Sequence, residues 1–156
     1  MPRVWLAQPH EGEAVTRLIA AFRDHLRLDR PSDDEIAASV DRLLDDPETE
    51  FLLASPGDGV PAAGVAQLRF RYGIWRSAGD CLLEDLYVEG SARGAGLGHA
   101  LVEATLDRAR ARGCRRVELD VNESNAAAQR LYGSFGFSST ANTYGARDLY
   151  MRLHID

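Results

Sequence analysis

Lysine is absent from this 156-residue chain: all 18 of its Lys+Arg residues are arginine. A Walker A loop ends in Gly-Lys-Ser/Thr, so that class of nucleotide-dependent enzymes is excluded by composition alone. Cysteine is scarce. Cys81 and Cys114 make neither a disulfide framework nor a metal-ligand cluster, and both read as reduced thiols. No apolar run approaches the ~20 residues of a membrane-spanning helix, and the first residues lack the basic, apolar and small-residue succession of an export signal. A cytoplasmic protein without a membrane partner is expected. Positive charge is also in deficit, with a formal net charge of −6, which argues against a general nucleic-acid binder. The one basic run, Arg108, Arg110, Arg112, Arg115 and Arg116, falls at the end of an expected helix. There cations complement the helix dipole, and no aromatic residues interleave to stack on bases, so the run reads as structural.

With 45% hydrophobic residues, the chain is long enough for one compact α/β domain over residues 1–156 and too short for two ordinary ones. Residues 3–7 suggest a short strand. Val15, Leu18, Ile19, Phe22 and Leu26 then recur at helical spacing. Pro31 interrupts, and Ser32 to Glu35 form a capping box opening a second helix with Ile36, Val40, Leu43 and Leu44 inward. Residues 51–55 and 62–71 read as an antiparallel pair around the turn at 56–59, and 72–79 turn the chain into a further strand.

That strand leads into the most informative stretch, CLLEDLYVEGSARGAGLGH at residues 81–99. It reads as a strand, a glycine loop and the start of a helix. Glycines allow backbone N–H groups close to a ligand, and a helix N-terminus carries about half a positive charge, so the loop suits an anion such as phosphate. The dinucleotide fingerprint G-x-G-x-x-G fails by one residue, because counting from Gly94 its last slot is His99. Leu97, Ala100, Leu101 and Ala104 then mark the buried face of a helix that Gly113 ends. Val117, Leu119 and Val121 alternate with polar residues as a strand, parallel to the one before the loop by the right-handed crossover rule. Ser124 or Asn125 caps a fourth helix that Gly136 closes, with Gly133 an unfavourable residue in its last turn. Residues 137–155 read as two closing strands around a turn at 142–145.

Arg93, Gly96 and Gly98 fill the pattern Q/R-x-x-G-x-G/A, which resembles the pyrophosphate loop of the GNAT family of N-acetyltransferases. Two further stretches match in order and spacing. Glu84 to Val88 resembles the family's central strand, and residues 125–137, NAAAQRLYGSFGF, are similar to its N-x-x-A-x-x-x-Y-x-x-x-G-F signature. The resemblance covers residues 81–137. It implies an α/β (α+β) single domain, a mixed sheet of about seven strands with four helices in the order β-α-α-β-β-β-α-β-α-β-β.

Acetyl transfer from a thioester to an amine needs a neutral amine, support for the tetrahedral oxyanion and a proton for the departing thiolate. By the resemblance Glu84 is the base, directly or through water, and Tyr132, whose phenol can bond to a sulfur and release a proton, is the acid. Asp85 would face the other side of a regular strand. The backbone of Leu86, Tyr87 and Val88 would pair with the pantetheine arm of acetyl-CoA, and Gly94, Ala95, Gly96, Leu97, Gly98 and His99 would hold its pyrophosphate. Arg93 would add charge, and Asn125 would contact the arm. No metal is expected, and a homodimer is allowed.

The acceptor site is implied to be walled by residues 25–31 and 72–75. The central strand is similar to that of polyamine and diamine acetyltransferases, and the acidic balance suits a small cationic amine attracted by Glu84, Asp85, Asp24, Asp29 and Asp80. An aminoglycoside, a protein or peptide amine, or a non-catalytic acetyl-CoA-binding regulatory module stay open as alternatives.

Overall fold

The computed structural model describes residues 1–156, which divide into two compact units, 1–119 and 120–156. The first holds one five-stranded sheet, in the order β1-β2-β3-β4-β5. β1 (Arg3–Leu6) is followed by α1 (Gly12–His25) and α2 (Asp33–Leu44), then by β2 (Thr49–Ser55), β3 (Gly64–Gly73) and β4 (Ala78–Val88). α3 (Leu97–Ala111) crosses to β5 (Cys114–Glu118). β1 to β4 pair antiparallel, and β4 pairs β5 in parallel.

Each face of the sheet is covered by helix. On one, Val15 and Leu18 of α1 and Ile36 and Val40 of α2 pack with Phe51, Leu53, Val65 and Tyr87. The expected capping box starts α2: the Ser32 hydroxyl accepts from the Glu35 N–H at 3.2 Å, and the Glu35 carboxylate accepts from the Ser32 N–H at 3.1 Å. On the other face α3 buries Leu97, Leu101, Val102, Thr105 and Ala109. Gly64 makes this close approach workable, since a Cβ there would meet the Leu101 side chain at 3.2 Å. All seven residues of β2 are buried, which explains its unbroken apolar run.

The arginine run is an anchor for α3. Arg108 grips the Glu50 carboxylate with two bonds, at 2.7 and 2.6 Å. Arg112 reaches the same carboxylate at 3.3 Å and lies 4.0 Å over the Phe70 ring. Arg110 pairs with Asp107, and Arg116 with Asp80. Burial alone would push the Glu50 carboxyl up, but Arg108 and Arg112 more than offset it and hold it below its ordinary value near 4.5. A depressed acid contributes stability that is full above its unfolded pKa and is lost as pH falls through the folded one. Glu50→Gln should therefore lower stability at pH 7 by about 2 kcal/mol, less than for a fully buried pair because Arg108 is partly exposed. Urea unfolding of the two proteins should converge as pH drops below about 4.5; a constant gap across that range would refute the assignment.

The second unit contains α4 (Ala126–Ser134), with Asn125 as its cap accepting from the Ala128 N–H at 3.1 Å. The helix ends one residue after Gly133. Two expectations need correction. The sheet has five strands, not about seven, because no strand follows β5. Apolar alternation does recur at Leu149, Met151, Leu153 and Ile155, but these side chains are exposed and the segment joins no ladder. Alternation is a property of side chains, whereas a strand also needs a neighbour for its backbone. The expected turn at 142–145 is present, with the Asn142 side chain accepting from the N–H groups of Tyr144 and Gly145 at 2.9 and 2.8 Å. Likewise β5 ends at Glu118, so Leu119 and Val121 lie outside it.

Candidate functional site

β4 is paired along both edges only in its first half. Its contact with β5 covers residues 79–82, while its contact with β3 continues to Val88. Residues 83–88 thus leave one edge unladdered, and they include Leu86, Tyr87 and Val88. An extended ligand with amide groups can hydrogen-bond to such an edge as a strand would.

The chain leaves that edge through Glu89, which pairs with Arg17 at 2.5 Å and donates its N–H to Ala63 O at 2.8 Å. Arg93 donates from Nε to Val88 O at 3.1 Å, and its guanidinium stands 6.0 Å from the Tyr87 ring centroid. It is a strut across the bend as well as a charge. Gly94 (φ 84°) and Gly96 (φ 83°) both occupy the left-handed region, where a side chain is strained. Gly96 then caps α3, whose first-turn amides at Leu97 and Gly98 have no place in the helix's own ladder. Gly94, Ala95 and Gly96 are exposed. Free amide donors at a helix N-terminus are an arrangement that suits an anion.

The register between β3 and β4 shifts where Gln67 faces Asp85 and Leu68 faces Leu83. Glu84 is the extra residue of a β-bulge, which re-aims its side chain. The expected alternation of Glu84 and Asp85 is therefore overturned. Asp85 is opposite Gln67, while the Glu84 carboxylate accepts from Gln67 Nε2 at 3.2 Å and from Arg69 at 3.5 Å. Gln67 shares a face with Val65, which packs against α1 and α2. Two carboxylates thus converge on one side of the sheet.

An aromatic wall stands beside them. Tyr87 stacks on Phe22 with centroids 5.0 Å apart, and His25 approaches the same ring at 5.8 Å. His25, the last residue of α1, stands at the start of the 25–31 loop. Residues 72–75 lie instead at the exposed tip of the β3–β4 hairpin, with Trp75 98% exposed, about 20 Å along the strand from Glu84 at ~3.3 Å per residue. Asp80 is likewise not a cleft acid: it is 2% exposed and bonds Arg116 at 2.8 Å. Asp24 lines a groove of about 540 Å³ between α1 and α2, together with Arg17, Arg23, Asp33 and Asp41. Cys81 is buried, and burial, reinforced by Cys114, pushes its thiol up to about 12, so it is no nucleophile at neutral pH.

In the second unit, Tyr132 lies on α4 with its ring edge-on to Phe137, centroids 5.9 Å apart. Asn125 already uses its side-chain oxygen as the helix cap. Gln67 and Arg69 escaped notice in the sequence. The available signal was a glutamine in the otherwise apolar run GVAQL, at a position that alternation turns toward the core.

Residues 13–137 match the model of the Acetyltransferase (GNAT) family. Mycothiol acetyltransferase of Beutenbergia cavernae is 38% identical over 99 residues, 62% of this chain and 30% of that one, so the chain spans less than a third of that relative's length. Thialysine N-epsilon-acetyltransferase of Bos taurus is 27% identical over 158 residues, covering 93% of this chain and 90% of that one. Among solved structures, a protein of Arthrobacter sp. FB24 assigned to the acetyltransferases superposes with a TM-score of 0.86 at 30% identity, over 99% of this chain and 96% of the other.

Proposed function

We propose, from the premise that this chain belongs to the GNAT acetyltransferase family, that it moves the acetyl group of acetyl-CoA to the primary amine of a small cation, diamine- or polyamine-like. Members of the family use acetyl-CoA as co-substrate. The unladdered edge of β4 and the glycine loop fit such a molecule, one taking its amide-bearing arm and the other its phosphates.

The observation that carries the acceptor is the bulge, which turns Glu84 and Asp85 to one side of the sheet next to Phe22 and Tyr87. A primary amine with pKa near 10 is almost wholly protonated at pH 7. Carboxylates attract that cation and then remove its proton. Glu84 takes the proton, directly or through water, which frees the nitrogen pair to bond with the thioester carbonyl carbon. As the carbon–sulfur bond breaks, the nitrogen gives up its second proton to solvent, and Tyr132 protonates the departing thiolate and is itself reprotonated from solvent. A relative named for the N-epsilon position of thialysine is consistent with a primary amine acceptor.

The test is acetyl-CoA consumption over diamines, polyamines, amino acids, aminosugars and N-terminal peptides at low and high salt. Diamines or polyamines should turn over fastest and slow as salt rises. Fastest turnover of a neutral or anionic acceptor, or cation rates indifferent to salt, would overturn the proposal.

A further inference from the structure

We propose that Gln67 is the positioning residue for the catalytic carboxylate, holding Glu84 by one oxygen so that the other is presented to the amine; this rests on Glu84 being the base. Gln67 is 7% exposed, in the middle of an apolar strand, where a polar side chain needs a partner. Its amide nitrogen donates to Glu84 Oε2 at 3.2 Å. The assignment of that amide follows from chemistry, because an ionised carboxylate only accepts. Arg69 Nη1 approaches the same Oε2 at 3.5 Å. Both protein contacts therefore fall on one oxygen, and Oε1 keeps its lone pairs for the proton that must leave the amine.

A bulged residue has no ladder partner to fix it, and Glu84 is exposed. Without Gln67 its carboxylate would be tied only to Arg69, itself about half exposed at 48%, and would sample several rotamers. Positioning of this kind governs kcat more than binding, because a reacting group displaced by about 1 Å costs up to a hundredfold. Gln67 sits opposite Asp85 in the register, so one buried amide serves the part of the strand carrying both acids.

Gln67→Leu keeps the volume and removes the donor. It should lower kcat about tenfold while leaving KM for acetyl-CoA unchanged. In a Glu84→Gln background the same change should cost less than about twofold, because the carboxylate that Gln67 holds is gone. Gln67→Glu is the second variant: a like charge beside Glu84 should move the acid limb of kcat/KM upward by about one pH unit. Equal losses in both backgrounds, or an unmoved acid limb, would overturn the proposal alone. Full turnover by Glu84→Gln would overturn the base assignment and the proposal with it.

Discussion

Gly98→Val should abolish acetyl-CoA binding with the fold intact, and Gly96→Val should abolish it at some cost in stability. The two differ because Gly96 has φ 83° whereas Gly98 lies within α3. A branched residue in the left-handed region costs of order 1–3 kcal/mol, so Gly96→Val strains the loop as well as crowding it. Valine is admissible in a helix's first turn, and a branched side chain at position 98 would crowd the first-turn amides proposed to face the phosphate. Charge-assisted bonds to such amides contribute about 1.5–3 kcal/mol each, so losing two weakens binding about a hundredfold or more. Calorimetric titration measures it, with thermal unfolding as the control for folding. Wild-type affinity in a folded Gly98→Val protein would show that the phosphate lies elsewhere.

Glu84→Gln should lower kcat by about a hundredfold to a thousandfold near neutral pH and recover as pH rises toward the amine's own pKa, where the acceptor sheds its proton unaided. Tyr132→Phe should also lower kcat, with acetyl-CoA affinity nearly unchanged and without that recovery, since the leaving thiolate needs its proton whatever the state of the amine. Parallel pH profiles of kcat discriminate the roles. A loss at Glu84 that is flat with pH would make it a structural carboxylate, and an unchanged kcat would return Tyr132 to the packing of α4.

The glycine loop was legible because its requirement is local: positive φ at Gly94 and Gly96 and a helix beginning at Leu97 are written in consecutive residues. The helices were legible for the same reason, from apolar spacing and from the Ser32–Glu35 box. What stayed hidden depends on partners distant in sequence. The bulge at Glu84 exists only against β3, so period-two reasoning sent Asp85 to the wrong side. The basic run could be read as structural, but its partner Glu50 lies 58 residues before Arg108. Asp80, expected among the acids that attract the amine, instead pairs with Arg116 on the neighbouring strand. The closing strands failed in the opposite sense, with a strand-like pattern at residues 149–155 that has no ladder in the sheet.

The position of β1 has a kinetic consequence. β2, β3 and β4 follow one another as a meander whose turns are short, and α3 carries the chain directly to β5. β1 instead joins β2 only across both intervening helices, with Arg3 opposite Ser55 and Leu6 opposite Leu52. Closing so long a loop is entropically unfavourable until α1 and α2 have packed to shorten it. Strand β1 should therefore dock after the transition state for folding, with low φ-values at Val4 and Trp5, so that weakening it speeds unfolding and leaves the rate of folding nearly unchanged. Strand β1 is then the last part of this fold to assemble and the first to let go.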